Sequence, residues 1–293
     1  MDISIVVVNR NTRQLLMDCL ASVLAGVDGL EIEMFVVDEH SSDGSADAVR
    51  TRFPAVKVID DPSDCGFGHA NNLGLRQARG RYLLTLNADT EVPPGALPRL
   101  VAWMDAHPRV GVIGPRLVKA DGSLDLACRR SFPTPTSALY RYLGLARIFP
   151  KNKRFGAYNM TYLDPDVAGE MDSGTAACML VRREATMDVG FFDEDYFMYG
   201  EDLDWAYRLK KAGWMVYYLP EVTVLHHKGQ ATKQRSTRMI IEFHRAMLTF
   251  NRKHYAAQQP PPLTWAVTAG VVLHAVVSVA RNGLRPREQR RVG

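Results

Sequence analysis

The chain has 293 residues, of which 46% are hydrophobic, 23% charged and 9% aromatic. That mixture excludes collagen-like, coiled-coil, disordered and multi-span membrane chains, and the length suits one large domain or two modest ones. The net charge of +4 is uneven: from Lys228 onward there are 12 Lys+Arg against 2 Asp+Glu, and the remainder holds 24 against 30, so an acidic body suited to a metal carries a basic end suited to phosphate-rich surfaces.

Ile3 to Val8 is a short β-rich apolar run and reads as a buried strand. Helical spacing of Leu15, Leu16, Cys19, Leu20, Val23 and Leu24 predicts a helix over Thr12 to Leu24. Ile32 to Val37 is a second strand, followed by a polar turn from Asp38 to Ser45 and a helix to Arg52. A strand at Val56 to Ile59, a loop at Asp64 to Gly68, a helix to Ala78 and a strand at Tyr82 to Leu86 complete the alternation. This pattern predicts a Rossmann-like, mostly parallel α/β sheet with helices on both faces.

The alternation then loosens. Pro93-Pro94 is expected to open a helix ending near His107. Val110 to Val118 and Leu124 to Phe132 read as strands, and Pro133 to Val167 as an irregular insertion. Ala176 to Val181 is a strand, Glu201 to Ala212 a helix, and Trp214 to Leu219 and Val222 to Leu225 two strands. A basic helix from Arg235 to His254 leads to the stiff linker Gln258 to Pro262. The apolar segment Leu263 to Ala280 is marginal for a bilayer span and is followed by Arg281, Arg285, Arg287, Arg290 and Arg291. It fits a packed helix, an interfacial helix or a single span; the prolines and arginines favour lipid headgroups. The four cysteines, Cys19, Cys65, Cys128 and Cys178, form no CxxC pair. That disfavours a zinc ribbon or disulfide framework and fits a reducing cytoplasm. No basic stretch precedes the first apolar run, which argues against a cleaved signal peptide.

Ligands of open α/β sheets bind beyond the carboxyl ends of the strands. Here those ends carry Asn9-Arg10-Asn11, Asp38, Asp64 and Asn87-Ala88-Asp89. Turn preference explains any one of them, but four at one sheet edge suggest a nucleotide site. Neither GxGxxG nor GxxxxGK[ST] occurs, which disfavours a dinucleotide dehydrogenase and a P-loop enzyme. Asp89 at the end of a rigid strand can reach a divalent cation. Glu201, Asp202 and Asp204 open a helix after an aromatic run; they can complement the helix dipole, or one walled by aromatics can act as a base. Asp204 and Arg208 are spaced to pair on one helix face. Of the adjacent His226 and His227, only one is expected to face the site.

These residues stand in an order that resembles the family 2 inverting glycosyltransferases of GT-A fold, notably their rhamnosyltransferase-like branch. The matching segments are Val36-Val37-Asp38 with Ser42-x-Asp-Gly-Ser, Gly66-Phe67-Gly68 with Ala70-Asn71-Asn72, and Leu86-Asn87-Ala88-Asp89. They continue with Asp172-x-Gly174, Gly190-Phe191-Phe192-Asp193-Glu194, Tyr199-Gly200-Glu201-Asp202-x-Asp204 with Arg208, and His226-x-x-Gly229. Three positions depart from the pattern: Glu39 replaces a common Asn, Arg10 a common aromatic, and Asn87 the first acid of the usual Asp-x-Asp.

The resemblance implies one GT-A domain over 1–257, with a nucleotide-binding half to about 118 and an acceptor half beyond. Residues 258–293 form a tail that can reach a membrane. It implies transfer with inversion from a nucleoside-diphosphate sugar, dTDP-rhamnose by branch, to a hydroxyl on a lipid-linked or cell-surface glycan. Asn9, Arg10, Asp38, Asp64, Asn71 and Asn87 are then expected at the nucleotide. Asp89 and His226 are expected at Mg²⁺ or Mn²⁺, Asp202 as general base, and Ser173, Gly174, Thr175 and Glu201 around sugar and acceptor. It places the protein in the cytoplasm, at the inner membrane face, with no nucleic-acid partner; the basic helix and tail leave room for self-association. A metal-dependent nucleotidyltransferase and a non-catalytic glycan- or nucleic-acid-binding module are the alternatives. The first lacks a glycine-rich loop after strand one, and the second does not need acids at four strand ends.

Overall fold

The computed structural model describes residues 1–228 and 236–285. Gly229, Arg235, Arg287, Arg290 and Arg291 lie outside the described residues. The first half alternates as expected: β1 (Ile3–Asn9), α1 (Arg13–Ala25), β2 (Ile32–Glu39), α2 (Ser45–Arg52), β3 (Lys57–Asp61), α3 (Phe67–Leu75) and β4 (Tyr82–Asn87). These strands pair in parallel in the order β3-β2-β1-β4. Every residue of β1 is buried, because helices cover both faces of the sheet. The register sets Asn9 beside Asp38, Asp38 beside Asp60, and Val8 beside Asn87, so the polar strand ends are level along one edge.

The second half contains β5 (Thr90–Glu91), α4 (Ala96–Ala106), β6 (Val110–Val118), α5 (Pro135–Tyr142), α6 (Leu145–Ile148), β7 (Gly169–Glu170), β8 (Cys178–Arg182), α7 (Arg183–Val189), α8 (Glu201–Lys211) and β9 (Met215–His226). β8 lies antiparallel between β4 and β6, and β6 runs parallel to β9. The sheet is therefore parallel up to β4 and mixed beyond it. The last residues of β9 pair back on β5, with Thr90 opposite His226. That register delivers His226 to the end of β4.

Four sequence expectations change. Leu124 to Phe132 is not a strand: Asp125 caps a 3-10 turn at Leu126–Cys128, and Leu124 and Arg130 make only single bridges. The two strands expected between Trp214 and Leu225 are one. Its pairing jumps from Pro115–Leu219 to Arg116–Thr223, so Pro220, which has no N–H to donate, drops out of the ladder. Pro93 and Pro94 precede α4 rather than opening it, because Gly95 caps that helix at φ 76°. The insertion after Pro133 contains two short helices.

The chain ends in α9 (Ser236–His254) and α10 (Pro261–Gly283). α9 docks its basic last turn on the acidic loop before α8 and on the first turn of α8 itself. Lys253 pairs with Asp193 and Asp195, and His254 Nε2 lies 2.7 Å from Asp204. Phe250 of α9 packs with Phe132 and Tyr207. α10 runs antiparallel to α9: Thr237 meets Asn282, and His244 Nε2 sits 2.8 Å from His274 Nδ1. Only Val271 and Asn282 of α10 are buried.

Candidate active site

At the ends of β1 and β2, Asn9 is buried and fully engaged. Its Nδ2 donates to Asp38 Oδ1 at 2.8 Å and to Ser41 at 3.1 Å, and its Oδ1 accepts from Thr12 at 2.7 Å. Asp38 also accepts the Ser41 N–H at 3.0 Å. Asn9 thus orients Asp38 rather than facing open space. After β3, Asp64 is held between two guanidinium groups, Arg10 at 2.7 Å and Arg238 of α9 at 2.9 Å. Asn71 lies on the buried face of α3, donating to the Phe67 carbonyl, with its Oδ1 unpartnered among the described residues.

The loops at this edge are strained. Four of the five non-glycine residues with positive φ among the described residues lie in loops that border it. They are Asn11 at 50°, His40 at 54°, Asp64 at 47° and Tyr199 at 68°. Such residues concentrate where a fold must present groups to a ligand. Gly66 has φ 103°, and a Cβ there would lie 2.1 Å from the Phe197 carbonyl oxygen. Only glycine lets the loop after β3 meet the loop before α8 so closely.

Beyond β4, His226 Nε2 is 3.3 Å from Asp89 Oδ1 and 3.5 Å from Asn87 Nδ2. Its Nδ1 is 3.1 Å from Asp125 Oδ2. Burial alone would lower the imidazole pKa, but hydrogen bonds to Asp125 and Asp89 outweigh it and raise it to about 9. Burial would likewise raise Asp125, yet His226 and Lys228 hold it well below the usual carboxylate range. The Asn87 Oδ1 is buried and unpartnered among the described residues. His227 faces away, to Glu91 at 2.6 Å, as strand alternation requires.

This arrangement fits a divalent cation. Two ligand atoms at right angles and about 2.1 Å from one ion are about 3 Å apart, close to the Asp89–His226 spacing. Asp125 holds the ring with Nε2 turned toward Asp89, the kind of outer support that a metal-bound histidine usually has. Among the described residues no group of three or more His, Cys, Asp or Glu side chains gathers as a metal cage. A cation held there would take its remaining ligands from substrate oxygens and water.

On the other side, α8 presents Glu201 and Asp202 in its first turn. Both are buried. Asp202 Oδ2 accepts from Arg130 Nη2 at 2.7 Å and from the Ala176 N–H at 3.4 Å. Glu201 is pushed above the usual carboxylate range by burial first and by the Asp202 charge second. Arg130 also donates to the Gly174 carbonyl, and Ser173 exchanges backbone hydrogen bonds with Arg130. Ser173 is wholly buried, with its hydroxyl directed to the Gly174 and Asp202 carbonyls, so it braces the acid. Thr175 is half-buried and Gly174 buried. The two sides meet through one dipeptide: the Ala176 N–H contacts Asp202, and the Ala177 carbonyl accepts the Asn87 N–H at 3.0 Å. Asp204, by contrast, is structural, clamped by Arg208 at 2.6 Å and by His254.

The model of "Glycosyl transferase family 2" matches residues 4–190. The chain belongs to glycosyl transferase family 2. The glycosyltransferase is 29% identical to the N-acetylglucosaminyl-diphospho-decaprenol L-rhamnosyltransferase of Mycobacterium tuberculosis over 274 residues, covering 89% of this chain and 87% of that one. It is 24% identical to the low-salt glycan biosynthesis hexosyltransferase Agl10 of Haloferax volcanii, over 85% of this chain and 76% of the other. Its fold is that of the mannosyltransferase PcManGT from Pyrobaculum calidifontis in complex with GDP-Man and Mn2+. That match has a TM-score of 0.59 and 18% identity, over 98% of this chain and 77% of that one. S. aureus TarS 1-349 in complex with UDP-GlcNAc matches with a TM-score of 0.59 and 16% identity, over 99% and 78%. The GT-A fold expected from the sequence is the fold of the glycosyltransferase, and the nucleotidyltransferase and binding-module alternatives fall.

Three residues of this site escape the sequence reading: Asp125, Arg130 and Arg238. The first two sit in the run taken for a strand. A lone acid and an arginine pair inside an apolar run are the available signal, since buried charges need partners.

Proposed function

We propose that this glycosyltransferase moves a sugar with inversion from a nucleoside-diphosphate sugar to a hydroxyl of a lipid-linked glycan precursor, at the cytoplasmic face of a membrane. The observation that carries it is the buried Asp202, fixed by Arg130 and the Ala176 N–H and joined through Ala177 to the β4 end that bears Asp89. Asp38 and Asp64 border the nucleoside, with Arg10 and Asn87 near the diphosphate end. Asp202 takes the proton of the acceptor hydroxyl as its oxygen attacks the anomeric carbon, and the nucleoside diphosphate leaves with the bonding pair. A single displacement with one base inverts configuration, unlike a two-carboxylate retaining site. Asp89 and His226 hold Mg²⁺ or Mn²⁺, which when bound neutralises charge on the departing diphosphate. Gly174 and Thr175 border sugar and acceptor. Rhamnose from dTDP-rhamnose is the proposed donor, supported by the named activity of the mycobacterial relative.

The test is a panel of nucleotide sugars titrated with and without Mn²⁺. dTDP-rhamnose is expected to bind tightest, and more tightly with the ion. If no nucleotide sugar binds under either condition, the reading is wrong.

Asp125→Asn is expected to weaken Mn²⁺ binding about 10- to 100-fold, the usual cost of losing a second-layer partner of a ligating histidine. Because the His226 proton must leave before the ion can bind, wild-type Mn²⁺ uptake near pH 7 should release about one proton. Calorimetry in buffers of different ionisation heat measures both.

Removing residues after Gln259 should reduce association with vesicles and leave the melting temperature of the body little changed, since α10 buries only Val271 among its apolar side chains. Undiminished sedimentation of the shortened chain with vesicles would contradict a membrane role for the tail.

A further inference from the structure

We propose that the insertion carrying α5 and α6 is a second membrane contact, which with α10 seats the protein flat on an anionic bilayer. The inference rests on the membrane-face part of the proposed function and adds the surface that achieves it.

α5 is an ordered helix, not a frayed loop. Thr134 and Ser137 form a reciprocal cap at its start, with bonds of 2.9 and 3.1 Å. Yet it contains no buried residue. Leu139 is 51% exposed, Leu143 62%, Ile148 64% and Phe149 51%. A soluble surface rarely gathers so many large apolar side chains in eleven consecutive residues without a partner.

The stripe is continuous with α10. Leu139, Tyr142 and Leu143 lie on one helical face at i, i+3 and i+4. Tyr142 stacks on His274 of α10 at 4.2 Å and donates its hydroxyl to Met247 of α9 at 3.4 Å. Beside His274, α10 exposes Leu273 and Val276, and nearer its start Trp265. α10 is 23 residues long and apolar, and only Val271 and Asn282 of it are buried. Its antiparallel contacts with α9 hold it alongside the body, so spanning a bilayer would require breaking them. A helix lying in the interface keeps them.

Charge selects the occupant. No Asp or Glu occurs between Asp125 and Asp164, while Arg141, Arg147, Lys151, Lys153 and Arg154 all fall there and are exposed. Apolar side chains bordered by cations match anionic headgroups over acyl chains. The insertion is also tied to the chemistry. It starts just after Arg130, which holds Asp202, and the Ser131 N–H donates to the Tyr158 carbonyl at 2.8 Å. Seating the insertion on the bilayer brings the base close to a lipid-linked hydroxyl.

The experiment is amide hydrogen exchange on the full chain with and without vesicles, either phosphatidylcholine alone or phosphatidylcholine with phosphatidylglycerol. Amides of residues 137–150 are expected to slow about tenfold or more with the anionic vesicles only. Protection confined to 263–280 would overturn the proposal, showing that the tail binds alone. Protection of 137–150 that exists without lipid and grows with protein concentration would also overturn it, in favour of a second copy of the chain. A Leu143→Glu/Phe149→Glu variant should melt like the parent and lose about tenfold in binding to the anionic vesicles; unchanged binding sinks the idea. Neither measurement needs turnover, so an error in the donor or the reaction would not disturb them.

Discussion

Asp202→Asn is expected to lower turnover by about 10²- to 10⁴-fold, the range associated with losing a positioned general base. Affinity for the donor should be nearly unchanged, because the Asp202 carboxylate contacts Arg130, the Ala176 N–H and its own helix rather than the strand ends that border the nucleotide. The variant should still fold. Glu201 is kept protonated by burial and by the Asp202 charge. Once that charge is gone, the second of these causes is lifted and the Glu201 pKa falls back toward the usual range beside the Arg130 charge. Rapid-quench turnover alongside donor titration separates the two effects. Full turnover in the variant would remove Asp202 from the base role.

Arg130→Met attacks the same acid from the other side. It leaves the buried Asp202 carboxylate without its cation, and breaking a buried pair in this way costs about 3–5 kcal/mol. Losing the guanidinium charge beside Glu201 and Asp202 makes ionising this buried pair costlier, so the pair takes up a proton at higher pH than before. The acid limb of the rate profile should therefore move upward, and activity lost at neutral pH should return partly as pH rises. Donor affinity should hold. A pH–rate profile with a thermal melt at each pH tests this. An unshifted acid limb would mean that Arg130 only braces the Ser173–Gly174 loop.

The legible parts of this chain were those written locally. Period and apolar runs placed β1 through β4 and their helices within a few residues, and the polar strand ends are level along one sheet edge. Pairing between neighbours on one helix was also readable: Asp204 and Arg208 meet as their spacing requires. What was hidden acts across distance. Asp125 reaches His226 over 101 residues, and Arg130 reaches Asp202 over 72. Nothing in their flanking sequence records the partner. The error over Leu124 to Phe132 has the same root: an apolar run with charges at intervals resembles an alternating strand, and only tertiary pairing shows those charges turned inward. Asn9 and Ser173 illustrate a subtler limit. Asn9 donates to the Asp38 carboxylate and Ser173 to the backbone carbonyls of Gly174 and Asp202, partners that no local pattern announces.

The placement of β8 has a further consequence. This strand comes from residues 178–182 and separates β4 from β6, and among the described residues β6 forms its ladders with β8 and β9. A fragment ending near residue 118 would expose the flank of β4 and leave β6 without a ladder, an invitation to aggregate. Chimaeras built to swap donor preference must therefore carry Cys178–Arg182 with the graft, because the crossover point that looks natural in the primary structure cuts through the middle of the sheet.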